Sequence, residues 1–353
     1  MNMNQDFRDI PYPDIFGKWD SKASVRATPR RAIEAAQTPT KSFFPRSLMP
    51  VCDHHLVTRL PDAVIEEILT QRLYCYLDAT TVLEQNVVNP VLLEIAHDGL
   101  AVEFASDMRF DAHKIYCDEA YHALFSADLK KQIVTATGVW PIAAPEPSFM
   151  HRLRLSHDAV PAELRGLASL CFAVVSETLI SALLSHIPAD PTVVDSVRLT
   201  VADHARDERY HHAYFSKILP FVWPQLRRHE RKVLGPLFAD YIISFLGPDY
   251  PMLQAILQPH LQDRDAVTEV LHDCHDHLDV VRDIRQASHT TVRLLAKAGV
   301  LDDALTAQTF TDAGLLPDNE LIGGLEKSGP NEGQRNGQLW TPPRKMAESS
   351  RSG

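Results

Sequence analysis

The chain has 353 residues, 45% of them hydrophobic and 23% charged, with a formal net charge of -11. Such a composition suits a globular protein with a sizeable core and excludes a disordered, fibrous or collagenous chain. The acidic balance argues against a phosphate-backbone binder, which needs a basic face, so nucleic acid is not an expected partner.

Residues 1–55 are rich in Pro, Asp, Lys and Arg without periodicity and read as an irregular N-terminal arm. Its first part carries Asp6, Asp9, Pro11 and Pro13 and no apolar run, so it offers no secretory signal and the expected compartment is the cytoplasm. From about Pro61 the pattern becomes helical, with Val64, Ile65, Ile68 and Leu69 on one face, then Val82, Leu83, Val87 and Val88, and Leu92 beyond a kink expected at Pro90. A second helix is expected from about Asp111 to Val134, ending before Gly138 and the Pro-rich loop PIAAPEPS. Pro161 opens a third, through Ser185. The run from Leu167 to Ile187 is the most hydrophobic, but Ser176, Glu177, Thr178 and His186 interrupt it, which suits a core helix better than a membrane span.

A fourth helix follows Pro191 and carries VRLTVADHARDERYHHAYF, with Pro220 and Pro224 expected to stop it. Arg231 to Phe245 and Asp263 to Leu295 also read as helical. Pro317 to Gly353 holds six of the fourteen glycines and is expected to be disordered. No segment alternates with period two, so the expected class is all-α, a helix bundle with additional C-terminal helices. The expected division is an arm (1–55), a helical domain (56–315) and a tail (316–353). Five cysteines with no C-x-x-C pair fit neither a disulfide framework nor a thiolate zinc site, and most read as core thiols.

The chemistry lies in a repeated element. CDEAYH and RDERYH both read D-E-x-Y-H, pairing Glu119 with His122 and Glu208 with His211, and residues three apart are neighbours on a helix. One Glu-x-x-His pair is weak evidence. Here each is preceded by a lone glutamate, Glu84 by 35 residues and Glu177 by 31, so the chain repeats a metal half-site. Two helices supplying one Glu each and two supplying Glu-x-x-His form the dinuclear iron or manganese pattern of carboxylate helix bundles. Small or apolar neighbours, Ala173, Val174, Ile180 and Ser181 around Glu177 and Thr80, Thr81, Val87 and Val88 around Glu84, point both carboxylates inward. Inward carboxylates need compensating charge, which two divalent irons supply.

His204 extends the second motif to H-x-x-x-E-x-x-H, at offsets that return near the same helical azimuth, and is read as a seventh ligand. Asp118 and Asp207 precede the ligand glutamates and could accept the outer ring N–H of a ligand histidine. Tyr121 and Tyr210 recur in both half-sites and read as packing residues. His272, His275 and His277 do not share one helix face and read as surface histidines.

Taken together, Glu84, Glu119-Ala-Tyr-His122, Glu177 and His204-Ala-Arg-Asp-Glu208-Arg-Tyr-His211 resemble the para-aminobenzoate N-oxygenase (AurF-like) family of di-iron enzymes. The resemblance covers roughly residues 60–220, and His204 stands where that family has its additional histidine. It implies a ferritin-like helical core, two non-haem irons cycling between Fe2+ and Fe3+, and O2 as co-substrate. It also implies stepwise oxygenation of a small-molecule amine to hydroxylamino, nitroso or nitro products, in natural-product biosynthesis, with an electron donor as partner. A homodimer is allowed. The enzymatic alternative is a di-iron desaturase or C–H hydroxylase, against which His204 stands. The alternative of another class is an iron-storage protein or radical-generating subunit.

Overall fold

A computed structural model describes residues 12–34, 40–261 and 263–316. Helix α1 (Asp62–Leu83) passes through a π-helical segment, Glu84–Val88, into α2 (Asn89–Ala96). Helix α3 spans Ser106–Thr137 and stops at Gly138, whose φ of 73° is the left-handed cap that glycine adopts without strain. After α4 (Ser148–Ala159) come α5 (Arg165–Leu183) and α6 (Asp195–Val222). Helix α5 packs along α6, α1 and α2 pack on α3, and α3 also meets α6. These elements form the four-helix core.

Helix α5 is buried on more than one face, since Phe172, Ala173 and Val175 are all fully enclosed, which accounts for its apolar sequence. Its cover comes from later helices: α7 (Leu237–Leu246) lies on α4 and α5, α8 (Tyr250–Leu261) on α1, α9 (Arg264–Cys274) on α8, and α10 (His277–Lys297) on α5 and α7. A last helix, α11, spans Ala304–Asp312. The all-α bundle expected from the sequence is the observed architecture. Among the described residues there is no strand, only an isolated bridge between Ser42 and Val193. None of their helices is long and apolar enough to cross a membrane.

Several boundaries differ from expectation. Helix α4 was not foreseen; the Ser148 amide and hydroxyl at its start both donate to Asp249, 3.0 Å each, a cap supplied from far along the chain. Pro220 does not stop α6, which continues to Val222. So close to the helix end a proline forfeits little, and buried Leu219, Phe221 and Val222 hold the last turn by packing. The segment read as helical over 263–295 forms two helices, because Asp276 accepts from the Leu278 and Asp279 amides and starts α10 anew. Arg231–Phe245 likewise divides at Gly235–Pro236. Cys52, Cys75 and Cys171 are core thiols, whereas Cys117 is exposed. The tail expected to be disordered, from 317 onward, lies outside the described residues.

The N-terminal arm is less irregular than its composition suggests. It makes one-turn helices at Trp19–Lys22 and Ser24–Ala27 and buries Phe16 and Ser24. It lies against α3 and α6.

Candidate metal centre

The backbone delivers seven side chains to one point. Glu84 opens the π-helical segment, in which the Asn89 amide reaches back five residues to the Glu84 carbonyl. Pro90, just beyond, has no N–H and its ring would crowd the carbonyl of Asn86, so the chain takes a wider turn there. Glu119 and His122 sit one turn apart on α3, Glu177 on α5, and His204, Glu208 and His211 at successive turns of α6. None is more than 2% exposed.

These side chains form two groups. Glu84, His122, His204 and Glu208 bring one donor atom each within 4.8 Å of one another, and so do Glu119, Glu177, Glu208 and His211. Glu208 belongs to both. Glu119 also spans them, with Oε2 at 3.0 Å from His122 Nδ1 and Oε1 at 3.2 Å from His211 Nδ1. His204 enters through Nε2, 3.1 Å from Glu84 Oε1 and 3.0 Å from Glu208 Oε1. The first group therefore carries two imidazoles and the second carries one.

His122 and His211 present Nδ1 to the cage and turn Nε2 outward. The aspartates preceding the ligand glutamates meet those outer nitrogens, but crosswise: Asp207 Oδ2 lies 3.2 Å from His122 Nε2, and Asp118 Oδ2 lies 3.3 Å from His211 Nε2. Each half-site thus braces the histidine of the other. A carboxylate accepting the Nε2 proton leaves the Nδ1 lone pair facing the cage.

Burial, with Glu208 and Glu119 close by, pushes the Glu177 carboxyl well above the ordinary carboxylate range. For Glu208 burial resists charge, but His211 and His204 hold it well below that range. Burial also opposes charge on the histidines, yet Asp207, Glu119 and Glu84 raise His122 well above its ordinary value. Glu208, Glu119 and Asp118 do the same for His211.

Hydrogen bonds among the residues do not satisfy the cage. Both carboxylate oxygens of Glu84 and of Glu177, one oxygen each of Glu119 and Glu208, and His211 Nδ1 are buried without a hydrogen-bond partner. Some of these atoms lie at ion-pair distance, Glu84 Oε1 from His204 Nε2 and Glu119 Oε1 from His211 Nδ1, but without a hydrogen bond. Three imidazoles against four glutamates leave the cage short of positive charge, which costs several kcal/mol when buried. Four carboxylates balance two divalent cations, and nitrogen and oxygen donors without thiolate suit iron, manganese or zinc. The residues fit a pair of metal ions.

The arm reaches this site, which sequence reasoning missed. Trp19 Nε1 donates to both Asp118 oxygens at 3.0 and 2.9 Å, and the Ser24 amide donates to both Asp207 oxygens at 3.2 Å. Arg31 forms a two-point pair with Asp203 on α6 at 2.8 and 3.2 Å. Tyr121 packs edge-on against Phe125, and Tyr210 lies tilted against Phe16. His272 is exposed, whereas His275 is half-buried against Leu271. A separate, more exposed group joins His54 and His55 to Glu269.

An all-α bundle gathering four glutamates and three histidines at its centre belongs to the metal-binding helical bundles. Within that class, the family described as P-aminobenzoate N-oxygenase AurF matches residues 22–299, and the chain belongs to it. Over 295 residues it is 23% identical to a 4-aminobenzoate N-oxygenase of Streptomyces thioluteus, spanning 80% of this chain and 86% of the relative. The chain is an oxidoreductase of the N-oxygenase type.

Proposed function

We propose that the chain is an O2-dependent di-iron N-oxygenase acting on a small-molecule amine, with Glu84, Glu119, His122, Glu177, His204, Glu208 and His211 as the iron ligands. A first two-electron step balances as R–NH2 + O2 + 2e⁻ + 2H⁺ → R–NHOH + H2O, the electrons coming from an external donor. A pair of ferrous ions, when bound, supplies the redox capacity and open positions that O2 reduction requires. The observation that carries the reading is the third imidazole: His204 Nε2 joins the group of Glu84, His122 and Glu208, which favours this family over a desaturase or hydroxylase.

The protein's own part is to bind, orient and exclude water. Glu119 and Glu208 reach both groups, while Asp118 and Asp207 hold the outer protons of His211 and His122. Phe125 packs on the same side, its ring 5.2 Å from that of His122 and 5.7 Å from that of His204. Beyond Phe125 a cavity of about 260 Å³ opens between the arm, α3 and α6, lined by Pro29, Tyr121, Leu124, Leu129 and Thr200. Arg30 and Arg31, paired with Asp128 and Asp203, line it as well, and its mainly apolar remainder supports entry of a small aromatic amine from this side. The test is a single turnover of ferrous-loaded protein with 18O2 and a panel of aromatic and amino-acid-derived amines. Labelled oxygen on nitrogen supports the reading; labelled hydroxylation at carbon, or desaturation, would overturn it.

A further inference from the structure

We propose that Trp19 is a positioning residue of the metal centre: its indole N–H fixes the Asp118 carboxylate, which in turn fixes the ring of His211. The inference rests on the two-metal reading above. Asp118 is 1% exposed and receives Trp19 Nε1 on both oxygens, at 3.0 and 2.9 Å. One of those oxygens, Oδ2, lies 3.3 Å from His211 Nε2. Across the same ring, His211 Nδ1 lies 3.2 Å from Glu119 and 3.3 Å from Glu208. Indole, carboxylate and imidazole thus form one line from the half-buried arm to the cage.

The other group is braced differently. Asp207, which meets His122, takes its outer donor from the Ser24 backbone amide, which a change of side chain other than to proline leaves in place. At the His211 end the same task falls to one side chain. With both oxygens held by the indole, the Asp118 carboxylate keeps its plane; without that donor it is free to rotate and release the Nε2 proton of His211. The arm holds Trp19 in turn, with the Arg26 guanidinium 5.6 Å over its ring and Ser24 Oγ donating to the Asp203 carbonyl at 3.1 Å. Loss of such an outer partner lowers metal affinity by roughly 10–100-fold.

The test uses the full chain loaded with two equivalents of cobalt(II), whose visible bands report the ligand field of each ion, and follows release to a chelator. In Trp19→Phe one of two release phases should accelerate by about 10-fold or more, with a change in the band of that ion only. Asp118→Asn should reproduce this, and the double variant should release no faster than Asp118→Asn alone. Trp19→His, smaller than Phe but carrying a ring N–H, should release more slowly than Trp19→Phe; a packing role demands the reverse order and would overturn the proposal. Wild-type release and spectrum in Trp19→Phe, or additive effects in the double variant, would also overturn it while leaving the two-metal reading intact. Failure of the wild-type chain to bind two cobalt ions would remove both.

Discussion

His204 is the residue on which the proposed chemistry turns. Glu84, His122 and Glu208 stand beside it as donors in the same group, so His204→Ala should still load two irons. The altered ligand field at one ion should cut oxygen transfer at least tenfold, a magnitude typical of changes close to a metal, measured as product per turnover beside iron content. Wild-type product yield would show that the third imidazole has no chemical part. Proton competition gives a second prediction. Before metal enters, His122 and His211 hold protons more tightly than ordinary imidazoles because of the carboxylates around them, and Glu177 more tightly than an ordinary carboxyl because of burial and its acidic neighbours. Metal must expel those protons, so affinity should fall as pH falls, with competition persisting above the ordinary imidazole value of about 6.5. Proton release on loading, followed with a pH indicator, and affinity against pH check the sign; a flat profile through that range contradicts it.

The seven cage residues were legible in the sequence because helical offsets of three and four convert directly into a shared face, and the half-site occurs twice. Trp19 and Ser24 were not. Their partners lie 99 and 183 residues away, and nothing in a Pro-rich, unperiodic arm signals a donor aimed at a buried aspartate. The crosswise bracing by Asp118 and Asp207 was equally hidden, since adjacency in sequence suggests no particular histidine across the bundle.

Among the elements, the π-helical segment carries function most directly. Pro90 marked the bend in the sequence, but the wider turn at Glu84–Val88 that aims Glu84 could not be read from it. Proline inside a helix is disfavoured by about 3 kcal/mol relative to alanine. Pro90→Ala should therefore raise the thermal midpoint, while relaxation towards a regular α-turn swings Glu84 away and lowers metal retention. Unfolding and chelator release should move in opposite directions. If metal is held as tightly as in wild type, the wide turn is not what places Glu84. Other elements misread from sequence share a cause: α4 is capped by Asp249, and α6 runs past Pro220 because packing outweighs one lost bond. Tertiary contacts decided those ends.

For the whole molecule, the bundle core was the most legible feature, since long periodic segments admit few other packings. The tail is distinguished by composition, rich in Gly, Ser and Pro with little apolar content. Truncation after Asn319 should leave metal content and turnover at wild-type level, because a segment of that composition offers little apolar surface to offset ordering entropy. Loss of metal from the shortened chain would assign the tail a packing role. The central claim is that this bundle holds two irons between seven residues. Anomalous diffraction at the iron edge, from crystals of ferrous-loaded protein, tests it most directly. Two peaks are expected, one among Glu84, His122, His204 and Glu208, the other among Glu119, Glu177, Glu208 and His211; a single peak, or iron bound elsewhere, would contradict the account.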